Sequence, residues 1–158
     1  MTMRDELPKL AEMMEYIESI TEKERTKTPT IYHVVNIWKS ATNFPQSIVS
    51  LLGSDLFVWT DKAEWNNETH VCRWIIELHH FHDSIKCQGM TIFEPALGGN
   101  GTKITFSGDL EWDSQKLAFI TGAIGETVLV MAGDIIRNKI EKNFRKVAET
   151  IAKYLDKK

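Results

Sequence analysis

VCRWIIELHHFHDSIKCQGMTIFEPALGGNGTKITFSGDLEWD, residues 71–113, reads as three consecutive antiparallel strands joined by two turns. A tight turn at Asp83-Ser84 sets Trp74 opposite Phe93, Ile76 opposite Thr91, Leu78 opposite Gly89 and His80 opposite Cys87. A second turn at Gly98-Gly99-Asn100-Gly101 sets Phe93 opposite Phe106, Gly89 opposite Leu110 and Cys87 opposite Trp112. Both registers keep one apolar face, as a half-buried sheet requires, because side chains alternate with period two. On the other face they bring Arg73 to Glu94 and Lys86 to Asp113, both favourable cross-strand charge pairs.

Outward from this meander, Thr30 to Ser40 is rich in β-branched and aromatic residues and reads as a strand with two apolar faces. Phe44 to Leu52 reads as a short helix with Pro45 in its first turn, and residues 55–67 as a loop and a short strand holding Trp59 and Trp65. Residues 3–26 read as a helix, with Leu7, Leu10, Met14, Ile17 and Ile20 in a narrow stripe that ends before Pro29. This arm is free to dock on the domain, pair with a second copy, or fray. After Asp113 or Ser114 as a cap, apolar residues from Leu117 to Tyr154 trace a long amphipathic helix. Unbroken over 115–156 it would run about 60 Å at 1.5 Å per residue, so a bend is expected near Gly122, Gly125 or Gly133. The division expected is an N-terminal helical arm, 1–28, and one domain, 29–158.

The totals narrow the function. The chain has 158 residues, 42% of them hydrophobic, and a net charge of −3. That suits one domain with a real core and argues against broad nucleic-acid binding. Residues 116–158 carry 9 basic and 5 acidic side chains, so the last helix offers a basic stripe for transient contact with a membrane surface, the plainer reading being a solvated face. Cys72 and Cys87 lie apart in the register, so no disulfide is expected; with no signal peptide read, a reducing, cytoplasmic setting is expected. Asn67-Glu68-Thr69 and Asn100-Gly101-Thr102 match the glycosylation pattern but read as turns.

His80 and His82 share a strand face, with Cys87 across from His80. That spacing suits zinc, but local hydrogen bonding or contact with a cavity ligand is the commoner use, and no metal is expected. Glu77, Asp109 and Glu111 fall on the outward face, and no catalytic constellation follows from spacing. Gly98-Gly99-Asn100-Gly101 lacks the Lys-Ser/Thr of a phosphate loop and is a turn.

The segment Gly89–Pro95 (G-x-x-x-F-E-P), the segment Gly99–Trp112 (GNGTKITFSGDLEW) and the closing amphipathic helix resemble the START-like superfamily, which includes polyketide cyclase/dehydrase-type and lipid-transfer proteins. The resemblance covers about 30–156; the N-terminal helix is extra. It implies an α+β helix-grip fold, a curved antiparallel sheet wrapped around a long C-terminal helix with a cavity between them. It also implies binding, or transport, of a hydrophobic small molecule or lipid without a cofactor. Lining is expected from Trp74, Ile76, Leu78, His80, His82, Cys87, Thr91, Phe93, Phe106, Leu110 and Trp112 on the sheet, and from Ile124, Val128, Met131 and Ile135 on the helix. Gly89 and Gly108 are expected to leave space on the inward face. The alternatives are a cyclase/dehydrase-type enzyme using the same cavity, with His80 or His82 as acid or base, and a dimeric interaction protein with a filled core.

Overall fold

The computed structural model describes residues 2–14, 17–41, 58–79, 83–113, 115, 116, 142 and 145–156. The fold is α+β. Six strands form one antiparallel sheet in sequence order: β1 Ile17–Lys27, β2 Ile31–Ser40, β3 Val58–Asn66, β4 Val71–Leu78, β5 Ile85–Ala96 and β6 Gly101–Trp112. A short helix, α1, Thr2–Leu10, precedes the sheet, and a C-terminal helix is described over 145–155.

The meander carries the expected faces in different registers. Trp74 lies opposite Gly89, not Phe93, and Ile76 opposite Cys87, not Thr91. The first connection is therefore longer than a two-residue turn: Leu78 ends β4 and Ile85 begins β5. In the second hairpin Phe93 faces Ile104, Gly89 faces Gly108, Cys87 faces Leu110 and Ile85 faces Trp112. Its loop is Leu97 to Asn100, with Leu97, Gly98 and Gly99 all at positive φ. Both displacements are even, so the apolar parity survives. The charge pairs change: Arg73 lies across from Glu64 and Met90, Lys86 across from Glu111, and Glu94 bonds Lys103 at 3.0 Å.

The helix expected over 3–26 stops early, and its second half is strand. Pro8 inside α1 has no N–H to offer the Arg4 carbonyl one turn back. Arg25 Nη2 of β1 donates to that carbonyl instead, at 3.2 Å. Ile17 and Ile20 are both buried although three residues apart in a strand. A bulge explains this: Ile17 pairs with Ser40 and Ser19 with Lys39, so Glu18 is an extra residue and the parity resets. A second irregularity between Glu22 and Glu24 resets it again. Ile17, Ile20, Glu22, Arg25 and Lys27 thus share the inner face. Thr28-Pro29 is the β1–β2 turn rather than a helix end, with Thr28 N–H donating to the Ile31 carbonyl at 2.8 Å.

β2 resolves its ambiguous faces. Val34, Asn36, Trp38 and Ser40 are buried, so the even positions point inward. Residues 58–66 form a full strand whose odd positions, Trp59, Asp61, Ala63 and Trp65, face the same way. The short helix expected over 44–52 lies outside the described residues, as does most of the long helix, including Gly122, Gly125 and Gly133.

Two apolar clusters occupy the inner face. The first joins Leu7, Leu10, Ala11, Met14, Ile17, Ile20 and Trp38 to Val147 and Ile151 of the C-terminal helix. Of the three fates left open for this arm, docking on the rest of the chain is the one observed. The second joins Val34, Ala63, Trp65, Cys72, Trp74 and Cys87. Here the expected gap at Gly89 and Gly108 is filled. A Cβ on Gly89 would fall 2.6 Å from the Trp74 ring, and one on Gly108 at the same distance. The indole lies across both glycines, and its Nε1 donates to Thr91 Oγ1 at 3.1 Å.

Candidate functional site

The strand registers arrange the inner face in rows that cross the sheet. One row runs Tyr32, Trp65, Cys72, Thr91, Phe106. The next runs Arg25, Val34, Ala63, Trp74, Gly89, Gly108. The third runs Glu22, Asn36, Asp61, Ile76, Cys87, Leu110. The first two rows are packed where they cross β4 and β5, because Trp74 covers the glycines and Thr91 is 2% exposed. The third row differs. It begins polar, ends apolar, and holds partly accessible side chains in Asp61, Ile76 and Leu110.

Asp61 is the unusual residue. Burial pushes its carboxyl up to about 7, and the approach of the Trp38 indole N–H draws it part of the way back. The approach stops short of a hydrogen bond, since Trp38 Nε1 has no partner. Asp61 nevertheless keeps some accessible surface. Desolvation disfavours the charged form of a carboxyl, and that is what holds Asp61 neutral up to this range. Beside it, Asn36 is 3% exposed and its Oδ1 also has no partner. A dry, unpaired donor or acceptor costs about 1–3 kcal/mol, so two such atoms flanking one half-buried carboxyl are an expensive arrangement for structure alone. The Trp38 and Trp59 rings stack at 5.7 Å on the far side.

Charge is kept at the β1 edge of this row. Glu22 and Arg25 bond at 2.7 Å, and Arg25 Nη1 reaches Asp5 at 3.0 Å. The Arg4 guanidinium beside Asp5 holds that carboxyl well below the usual range, and Arg4 also lies 3.7 Å over the Tyr32 ring.

The residues expected to line a cavity divide into three groups. Ile76, Leu78, Phe93, Phe106 and Leu110 are inward and partly accessible. Phe93 stacks on Trp65 at 5.6 Å. Trp74, Cys87 and Thr91 are inward but buried, and Trp74 is held as described above. Trp112 pairs with Ile85 through its backbone; its side chain lies outside the described residues, as do His80, His82, Ile124, Val128, Met131 and Ile135. Cys87 pairs with Ile76 and not with His80, which removes the cross-strand argument for a zinc ligand. Among the described residues no group of three or more His, Cys, Asp or Glu is arranged to hold a metal. Both cysteines are free, and burial pushes the Cys87 thiol up to about 11 and Cys72 further. A thiol so raised is a poor nucleophile.

Sequence reasoning missed Asp61, Asn36 and Trp38. The signal was present: Trp59, Asp61, Ala63 and Trp65 alternate, so the parity that buries two tryptophans also turns the aspartate inward.

The outer face carries a shallow depression of about 660 Å³, bordered by His33, Lys62, Glu64, Arg73, Ile75 and Met90 among others. It is open to solvent, and charged and apolar side chains alternate around it. No helix among the described residues is long and apolar enough to cross a membrane. No family model matches the chain, and no curated protein matches it.

Proposed function

We propose that the chain binds a hydrophobic small molecule or lipid on the inner face of the sheet, beneath the C-terminal helix, in the helix-grip manner of START-like proteins. The observation that carries this reading is the uneven closure of the inner face. Leu10 and its neighbours are sealed, whereas Ile76, Phe93, Phe106 and Leu110 point the same way and stay partly accessible. An apolar face with a few polar groups at one end is what a small-molecule site requires. In this reading the protein carries its ligand in the cytoplasm, without a cofactor, and meets membranes only in passing.

Native mass spectrometry of the protein purified from its own host tests this. A retained lipid-like mass, lost on extraction with organic solvent, is the expected result. A bare polypeptide mass that takes up no added fatty acid, alcohol or sterol overturns it.

Asp61 favours a second reading, a cyclase- or dehydrase-type enzyme. A carboxyl with a pKa near 7 is matched to proton transfer at neutral pH. Chromatography of the released ligand beside its mass separates the two: a carrier returns its ligand unchanged, and an enzyme returns a product lighter by water or of altered retention, but not after Asp61→Asn.

A further inference from the structure

We infer that Asn36, Trp38 and Asp61 form a receptor for the hydroxyl end of an otherwise apolar ligand, whose tail lies across the sheet along Ile76, Cys87 and Leu110. The inference rests on the binding reading above and names the ligand class.

The three side chains are the polar exceptions at one end of an apolar row. Asn36 and Asp61 are direct cross-strand partners, and Trp38 is the next inward residue on β2. Asn36 Oδ1 and Trp38 Nε1 are buried without partners among the described residues, while Asp61 is partly buried. Beyond Asp61 the row turns apolar at Ile76 and stays so to Leu110. Three strand spacings separate Asp61 from Leu110, roughly 14 Å at about 4.8 Å each. That span matches the length of an extended aliphatic tail.

The inventory of donors and acceptors selects the head group. Trp38 Nε1 only donates and Asn36 Oδ1 only accepts. Asp61 does either, since its carboxyl titrates near neutrality. A hydroxyl both donates and accepts, so a modest side-chain adjustment lets it satisfy all three. An ammonium has no acceptor for the indole N–H. A carboxylate meets the Asn36 oxygen, Asp61 when ionised, and Glu22 one strand further on. Of these three head groups, only the hydroxyl both donates and accepts.

The test uses the full chain and displacement of a bound fluorescent hydrophobic probe. The competitors are dodecanol, methyl dodecyl ether, dodecanoate and dodecylammonium. Dodecanol is expected to bind about tenfold more tightly than the ether, which accepts but cannot donate. Asp61→Leu is expected to weaken dodecanol more than the ether and so erase that preference, and Asp61→Asn, which keeps a donor and an acceptor, to retain most of it. In the wild type the Asp61 carboxyl carbon shift is expected to move with dodecanol and not with the ether. An equal preference in wild type and Asp61→Leu overturns the inference and leaves an apolar recess standing. So does tightest binding of either charged competitor. If none of the four displaces the probe, the binding reading fails with it.

Discussion

Among the described residues, the inner face under β1 and β2 is closed by distant parts of the chain, whereas at Gly89 of β5 and Gly108 of β6 it is covered by one indole of the sheet itself. The first closure gathers α1, the edge strand and the C-terminal helix, so residues as far apart as Leu7 and Ile151 must arrive together. The second is local: Trp74 lies over Gly89 and Gly108, two strands of the same meander. Between them runs the row holding Asp61. The comparison teaches that accessible apolar surface persists where neither device reaches, and that the polar residues gather on that boundary.

The sharpest way to break the local closure is Trp74→Ala, expected to cost about 4 kcal/mol in urea unfolding. Gly108→Ala alone is expected to cost about 2 kcal/mol, because the new methyl meets the ring at 2.6 Å and the Gln88 carbonyl at 2.8 Å, of which only the ring contact is removed with Trp74. In the Trp74→Ala background that cost should shrink, a coupling that a double-mutant cycle reads directly. Additive costs would show that the ring does not set the limit. The distant closure is tested by Leu10→Ala. Leu10 is fully buried, and about 3 kcal/mol is expected, with amide-exchange protection lost in β1 and around residues 147–151 before β5. Simultaneous loss in all strands would mean the two closures form one unit.

The boundary itself is probed by pH. Asp61 is protonated in folded and unfolded chains alike below its ordinary value of 3.8. As pH rises from there towards about 7, the unfolded chain gives up its proton first, so the folded state loses stability. Above that the penalty is constant. Asp61→Asn is therefore expected to leave stability unchanged at about pH 3 and to raise it by about 2 kcal/mol at about pH 8, after discounting for partial solvent access. A variant that is destabilised equally at both values would contradict the raised pKa.

How much of this was legible beforehand depended on parity and length. The faces of residues 71–113 were readable because alternation fixes sidedness whatever the loop. The registers were not, since a two-residue turn and a six-residue connection preserve the same parity; the pairing moved by 93 − 89, or four residues, at Trp74. Ile17 and Ile20 imitated a helix because a bulge gives a strand a three-residue step. The polar end of the third row was missed because Asp61 was read with a loop. Its meaning emerges only when Asn36 is set beside it by pairing between strands that residues 41–57 separate.

The two bulges of β1 have a further consequence. Among the described residues this strand ends the sheet, and an unpaired row of N–H and C=O groups invites another chain to add a strand. The extra residues at Glu18 and Lys23 interrupt that row, leaving uninterrupted pairing only over Ser19–Glu22 and Glu24–Lys27. Neither stretch is long enough to template a stable foreign strand, and the exposed Glu18, Lys23 and Glu24 discourage an attempt. The irregularity that makes this segment hard to read also guards it against self-association at high concentration.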